Sequence, residues 1–292
     1  MKTPMEIRAA NIAARDACAR QALRRAEARS AGDGRTVREV ELEHWEAVRA
    51  QMAPLRLPWG MESVEVLAAV ATHRAYWRPA EVRLLILSES HVWTREAELA
   101  ATVPLGVFGH EHAPQSFARL VYCLGYGERD MVQGRVQGNF GSPQFWKLLA
   151  AGLDPEIGSL VVERTEPDLL RRMAAKLQLL EGLKARGVWL LDACPVALYA
   201  ASQPKPRMAV LAQAMELAWA AYTREAIRAA APRAVMIVGK MVHDGIGGRI
   251  RAMLGPNVPV QWMYQPQARR PAAEHRAGIE RLRGMVGTAG EN

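Results

Sequence analysis

The sequence predicts an α/β protein built on a short parallel sheet, and three observations carry that expectation. Four segments read as buried strands: Val82–Leu87, Gly187–Ala193, Ala234–Gly239 and Val258–Tyr264. The first three are continuous apolar runs, the pattern of strands covered on both faces. Long amphipathic helical stretches separate the later ones, and that alternation is what βαβ crossovers produce.

Taken in order, residues 4–57 read as helical, with Ala, Arg and Glu dominant and Trp45, Val48 and Met52 available as one apolar stripe. The SAGDGR stretch at 30–35 divides this region into two helices. It predicts an N-terminal helical extension over 1–57, packed on an α/β domain over 58–292. Asp168–Arg186 is amphipathic, with Leu169, Met173, Leu177 and Leu180 on one side. Arg207–Ala230 offers Leu211, Met215, Leu217, Trp219 and Ile227 for burial. The stretch Arg276–Arg283 reads as the solvent face of a last helix.

Parallel strands with large connections collect ligands at their carboxyl ends. The residues placed there are Ser88, Glu89, Ser90 and His91 after the first strand and Asp192 at the end of the second. Gly239 and Lys240 follow the third strand, and Gln265 to Arg270 follow the fourth.

Composition narrows the class. Half of the 292 residues are hydrophobic and 23% are charged, as in a globular protein. No apolar run is long enough to span a bilayer, and residues 1–29 lack the apolar core of a signal peptide. Cys18, Cys123 and Cys194 are scattered, which suits a reducing, cytoplasmic setting. They cannot ligate an iron–sulfur cluster by themselves. The formal charge of +8 suits a polyanionic partner, nucleic acid first, or else an arginine-rich solvated surface.

Five segments in order then resemble the uracil-DNA glycosylase superfamily. They are LILSESHV at 85–92, GNFGSPQFWKLL at 138–149, GVWLLDACPVAL at 187–198, VMIVGK at 235–240 and WMYQPQARR at 262–270. The resemblance implies a three-layer α/β/α sandwich around a short, mainly parallel four-stranded sheet. It also implies excision of a damaged or deaminated base from nucleic acid, DNA first, without metal or cofactor. Glu89 falls where several branches carry a catalytic acid, and Ser90 where another carries an aspartate. Asp192 stands where an asparagine is usual, and Gln265 in place of a histidine that stabilises the departing base.

N-glycosidic cleavage needs a flipped base held by its edge, an oriented water and a donor near the leaving group. In that scheme Glu89 orients water or stabilises the sugar cation, and His91 and Gln265 donate to the leaving base or a phosphate. Asp192 and Ser90 contact the base, and Phe108 stacks on it. Lys240, Arg269 and Arg270 meet the phosphate backbone. Each has a plainer reading: a polar turn for Glu89 and His91, a structural acceptor for Asp192, a core ring for Phe108, and solvated groups for Gln265, Lys240 and the arginines. Phe145 and Trp146 read as core. An ionised Asp192 only accepts hydrogen bonds, so it favours a base edge that presents donors.

Three other readings compete. His110, Glu111 and His112, with His91, Asp192, His243 and Asp244, suggest a metal-dependent hydrolase. A non-catalytic binding module for nucleic acid or protein fits the altered site positions. Gly239-Lys240 and Gly245 to Gly248 hint at a nucleotide-phosphate site but lack a full phosphate-loop pattern.

Overall fold

The computed structural model describes residues 36–290. The expected first helix of the N-terminal extension, and Cys18, lie outside these residues. The helices are α1 (Val37–Met52), α2 (Val64–Tyr76), α3 (Pro143–Leu153), α4 (Leu169–Ala185), α5 (Met208–Ala218), α6 (Arg224–Ala230), α7 (Gly248–Leu254) and α8 (Ala272–Gly290). The strands are β1 (Leu84–Ser88), β2 (Val188–Asp192), β3 (Ala234–Val238) and β4 (Val260–Met263). They form one all-parallel sheet in the order β2-β1-β3-β4. Helices α3, α4 and α8 pack together on one face, while α1, α2 and α5 pack together on the other. The architecture is a three-layer α/β/α sandwich.

Each strand lies within its expected segment or overruns it by one residue. β1 extends to Ser88, because parallel register sets Ser88 beside Asp192. β4 starts after Pro259, which has no N–H to give the ladder, although the Pro259 carbonyl still accepts from Val235 N at 2.9 Å. All residues of β1 and β2 are buried, as their apolar runs predicted.

Helix boundaries follow local chemistry. Thr36 and Glu39 close a capping box at the start of α1. Trp45, Val48 and Met52 then form the buried stripe that carries α1 onto α2 and α5. Asp168 caps α4 by accepting from Arg171 N at 2.9 Å. The expected helix over 207–230 is interrupted by a π turn at Trp219–Thr223. There the Thr223 hydroxyl reaches the Ala218 carbonyl at 3.1 Å and the Ala193 carbonyl beyond β2. A second π turn, His243–Gly247, joins the short Lys240–Val242 helix to α7. No helix among the described residues is long and apolar enough to cross a membrane.

Candidate functional site

All four strands point the same way, so their carboxyl ends share one edge of the sheet. A cavity of about 450 Å³ opens there. Ser88 to Val92, Asp192 and Gln265 line it from the strand ends, Arg74 from α2, and Gly141 to Phe145 from the start of α3.

The floor is a buried charged network. The β1–β2 register brings the Ser88 hydroxyl onto Asp192 Oδ1, while Arg74 donates to Oδ2. Burial opposes ionisation of Asp192, but Arg74, and then the nearby His91 ring, hold its carboxyl down at about 2. His91 Nε2 donates to Glu62 Oε2 at 2.8 Å. Its Nδ1 lies 3.2 Å from Arg74 Nη2 and 3.8 Å from Asp192 Oδ2. A neutral ring therefore accepts from Arg74, and a protonated ring faces Asp192. Burial disfavours the imidazolium, but the Glu62 carboxylate with its hydrogen bond, and the nearby Asp192 carboxylate, outweigh burial and the opposing Arg74 charge, and the His91 pKa lies above the ordinary histidine value. Glu62 also accepts from Thr94 N at 2.9 Å and Ala197 N at 3.0 Å, so it ties three chain segments together.

Glu89 is differently placed. Its Oε2 accepts from the Tyr199 hydroxyl at 2.7 Å and from the Gln265 amide. Burial first, and then the Glu89 charge, push the Tyr199 hydroxyl pKa up and keep it a donor. No hydrogen bond joins Glu89 Oε1 to any described residue, and the side chain lines the cavity at 7% exposure. One carboxylate oxygen is thus fixed by two donors, and the other has no hydrogen-bond partner among the described residues.

The opposite wall is held by Arg119. Its guanidinium grips both Glu98 oxygens, at 2.7 and 2.9 Å from Nη2, and donates to the carbonyls of Gln137 and Gly138. Asn139 continues the clamp, donating to Gly125 O at 2.8 Å and accepting from Gly127 N at 2.7 Å. This presses the Gly127 and Gly141 backbones together: a Cβ on Gly141 would sit 2.7 Å from Gly127 Cα, and Gly141 has φ +68°. Only glycine fits. The chain then enters α3, and Phe145 and Tyr126 are among the aromatic residues that line the cavity.

Of the residues expected from the sequence, Glu89, Ser90, His91, Asp192 and Gln265 converge on this cavity. Their freedom differs from the expectation. His91 has a fully buried side chain held by Glu62. Both Asp192 oxygens already accept a hydrogen bond, and Ser90 Oγ is used by His91 O and Leu198 N. Phe108 does not line the cavity; it packs half-buried against the core. Lys240 is paired with Asp244, Arg270 lies 4.7 Å over the Tyr264 ring, and Arg269 is exposed; none of the three lines the cavity. Trp146 is buried as expected, and Phe145 packs half-buried against the core as expected while also lining the cavity. The sequence reading missed Arg74, Glu62, Tyr199, Lys205 and Tyr126.

The suggested metal ligands separate. His110 contacts the Tyr76 hydroxyl at 2.8 Å, while Glu111 and His112 are exposed and His243 pairs with Asp244. Among the described residues no group of three or more His, Cys, Asp or Glu is arranged to hold a metal ion. The glycines at 245–248 lie in and after the π turn, away from any phosphate-loop geometry. No family model matches the chain, and no curated protein matches it at a significant level. What this site does must be read from its own atoms.

Proposed function

We propose that the cavity receives a nucleobase turned out of a nucleic acid, DNA first, and hydrolyses its N-glycosidic bond, as the resemblance to the uracil-DNA glycosylase superfamily implies. The open Oε1 of Glu89 carries this reading. With Oε2 held by Tyr199 and Gln265, the carboxylate keeps a fixed direction, and Oε1 can accept a proton from a water aimed at the sugar carbon. As that water's oxygen bonds to the sugar, the carbon–nitrogen bond breaks and its electron pair leaves with the base. The proton passes to the base through Glu89. The lining rings, Phe145 and Tyr126 among them, suit stacking, which tolerates any base. Cavities of roughly 300–1,000 Å³ are usual for small-molecule sites, and this one falls in that range at about 450 Å³.

Asp192, whose two oxygens already accept from Ser88 and Arg74, serves in this reading as the buried anion that holds Arg74 at the floor of the cavity. Two buried cysteines, Cys123 and Cys194, have thiols pushed up by burial to about 11 and about 12, and such inert thiols suit a reducing, cytoplasmic setting.

The test uses purified wild type and Glu89→Gln with oligonucleotides carrying uracil, hypoxanthine, xanthine or alkylated bases, counting abasic sites. Release by the wild type that falls roughly 10²- to 10⁴-fold in the variant is expected. No release from any substrate by folded wild type rejects excision of those bases. One observation favours a binding module as the second reading: Asp192 and His91 are saturated by protein partners, which a site that only holds its ligand tolerates.

A further inference from the structure

Three cations line the cavity, and two are neutralised in place. Arg74 is paired with Asp192, and Arg119 with Glu98. Lys205 is the third; it is exposed, and no hydrogen bond or ion pair joins it to any described residue. Its position is also built. Tyr199, at the start of its loop, is joined to the segment after β1 by Trp93 N donating to Tyr199 O at 2.7 Å, and Leu198 N donates to Ser90 Oγ at 3.0 Å. The loop then runs through Ser202, held at φ +62°, into Gln203-Pro204-Lys205-Pro206-Arg207. Pro204 and Pro206 fix their own φ, and each restricts the residue before it to extended backbone. Lys205 precedes Pro206, so its backbone is held extended, and the cost of ordering it on binding is already reduced.

We infer that the cavity's ligand carries a phosphate on its sugar and that Lys205 meets that phosphate. This rests on the nucleobase reading for what lies deeper in the cavity, and it adds to that reading the side chain that meets the phosphate. The chemistry is directional. Glu89 Oε1 repels an anion and accepts from a neutral donor, whereas the ammonium of Lys205 attracts an anion. A ligand that is neutral at one end and anionic at the other is thereby oriented before any chemistry begins. Lys205 also differs from Lys240, whose charge is taken by Asp244.

The experiment titrates full-length wild type, Lys205→Gln and Lys205→Arg with two fluorescent single-stranded oligodeoxynucleotides at several salt concentrations. One carries a central tetrahydrofuran residue between natural phosphates; the other carries the same residue between neutral methylphosphonates. Thymidine 5′-monophosphate and thymidine form a second pair, followed by calorimetry. Lys205→Gln is expected to weaken phosphate-bearing probes up to about fivefold and to flatten the strand's log–log salt dependence by about 0.7. It is expected to leave the neutral partner of each pair unchanged, and Lys205→Arg to keep the wild-type slope. An effect confined to the strand names a phosphodiester, and one confined to the monophosphate names a free nucleotide. Equal affinities and slopes for wild type and Lys205→Gln overturn the proposal, as does absence of saturable binding of phosphate-bearing probes by the wild type. If Lys205 responds as expected while no base is released, excision fails and the phosphate contact stands. If base is released with no response at Lys205, the reverse holds.

Discussion

Replacing Arg74 with methionine removes the guanidinium from Asp192 and leaves a side chain of similar length. In the native protein the Asp192 carboxyl is held at about 2 against an ordinary 3.8. At about 1.4 kcal/mol per pH unit, that difference amounts to about 2.5 kcal/mol of stability. The sign follows from the depressed value: the contribution is complete above 3.8 and is lost as pH falls through about 2. Without Arg74, burial acts on Asp192 unopposed by its strongest partner, and uncompensated buried charges cost about 3–5 kcal/mol. Urea unfolding followed by tryptophan fluorescence should therefore show Arg74→Met less stable by about 2–4 kcal/mol at neutral pH. The gap should narrow as pH is lowered, because protonated Asp192 needs no cation. Adding Asp192→Asn to the variant should recover most of the loss. A gap below about 1 kcal/mol, or one that does not change with pH, would refute an electrostatic role for the pair.

His73 gives a second pH signature. Burial holds it down at about 4, with its Nε2–H on Ser116 O at 2.8 Å. The unfolded chain therefore binds the proton first, and stability falls by up to about 3 kcal/mol as pH drops from 6.5 to about 4; chemical denaturation of His73→Gln across that window should show this slope removed. Gly141→Ala should lower stability by about 1–3 kcal/mol, because its Cβ would meet Gly127 Cα at 2.7 Å. Gly284→Ala, where a Cβ meets nothing within 4 Å, is the control and should be neutral or stabilising in a thermal melt.

The sheet was legible in the sequence because buried parallel strands leave a local mark, a short apolar run between breakers. The strand ends were legible for the same reason: once β1 to β4 are parallel, Glu89, Asp192 and Gln265 must share an edge. Their partners were not. Arg74 lies on α2 among alanines, and Glu62 just before it, and each resembles a solvated charge until Asp192 or His91 arrives from elsewhere in the chain. Tyr199 and Lys205 sit in a loop whose course depends on contacts with the segment after β1. For Phe108 the sequence left a core ring and a stacking ring open, and packing decided for the core.

The spacing of these contacts along the chain has a consequence for how the molecule is made. Glu62 bonds Ala197 across 135 residues, and Glu89 bonds Gln265 across 176. Closing such long loops is slow compared with local helix formation. A chain emerging from the ribosome can form α1 and α2 while Glu62 still lacks its Ala197 partner. It cannot fix the direction of Glu89 until β4 has emerged and docked, so the cavity is among the last features to become functional during synthesis.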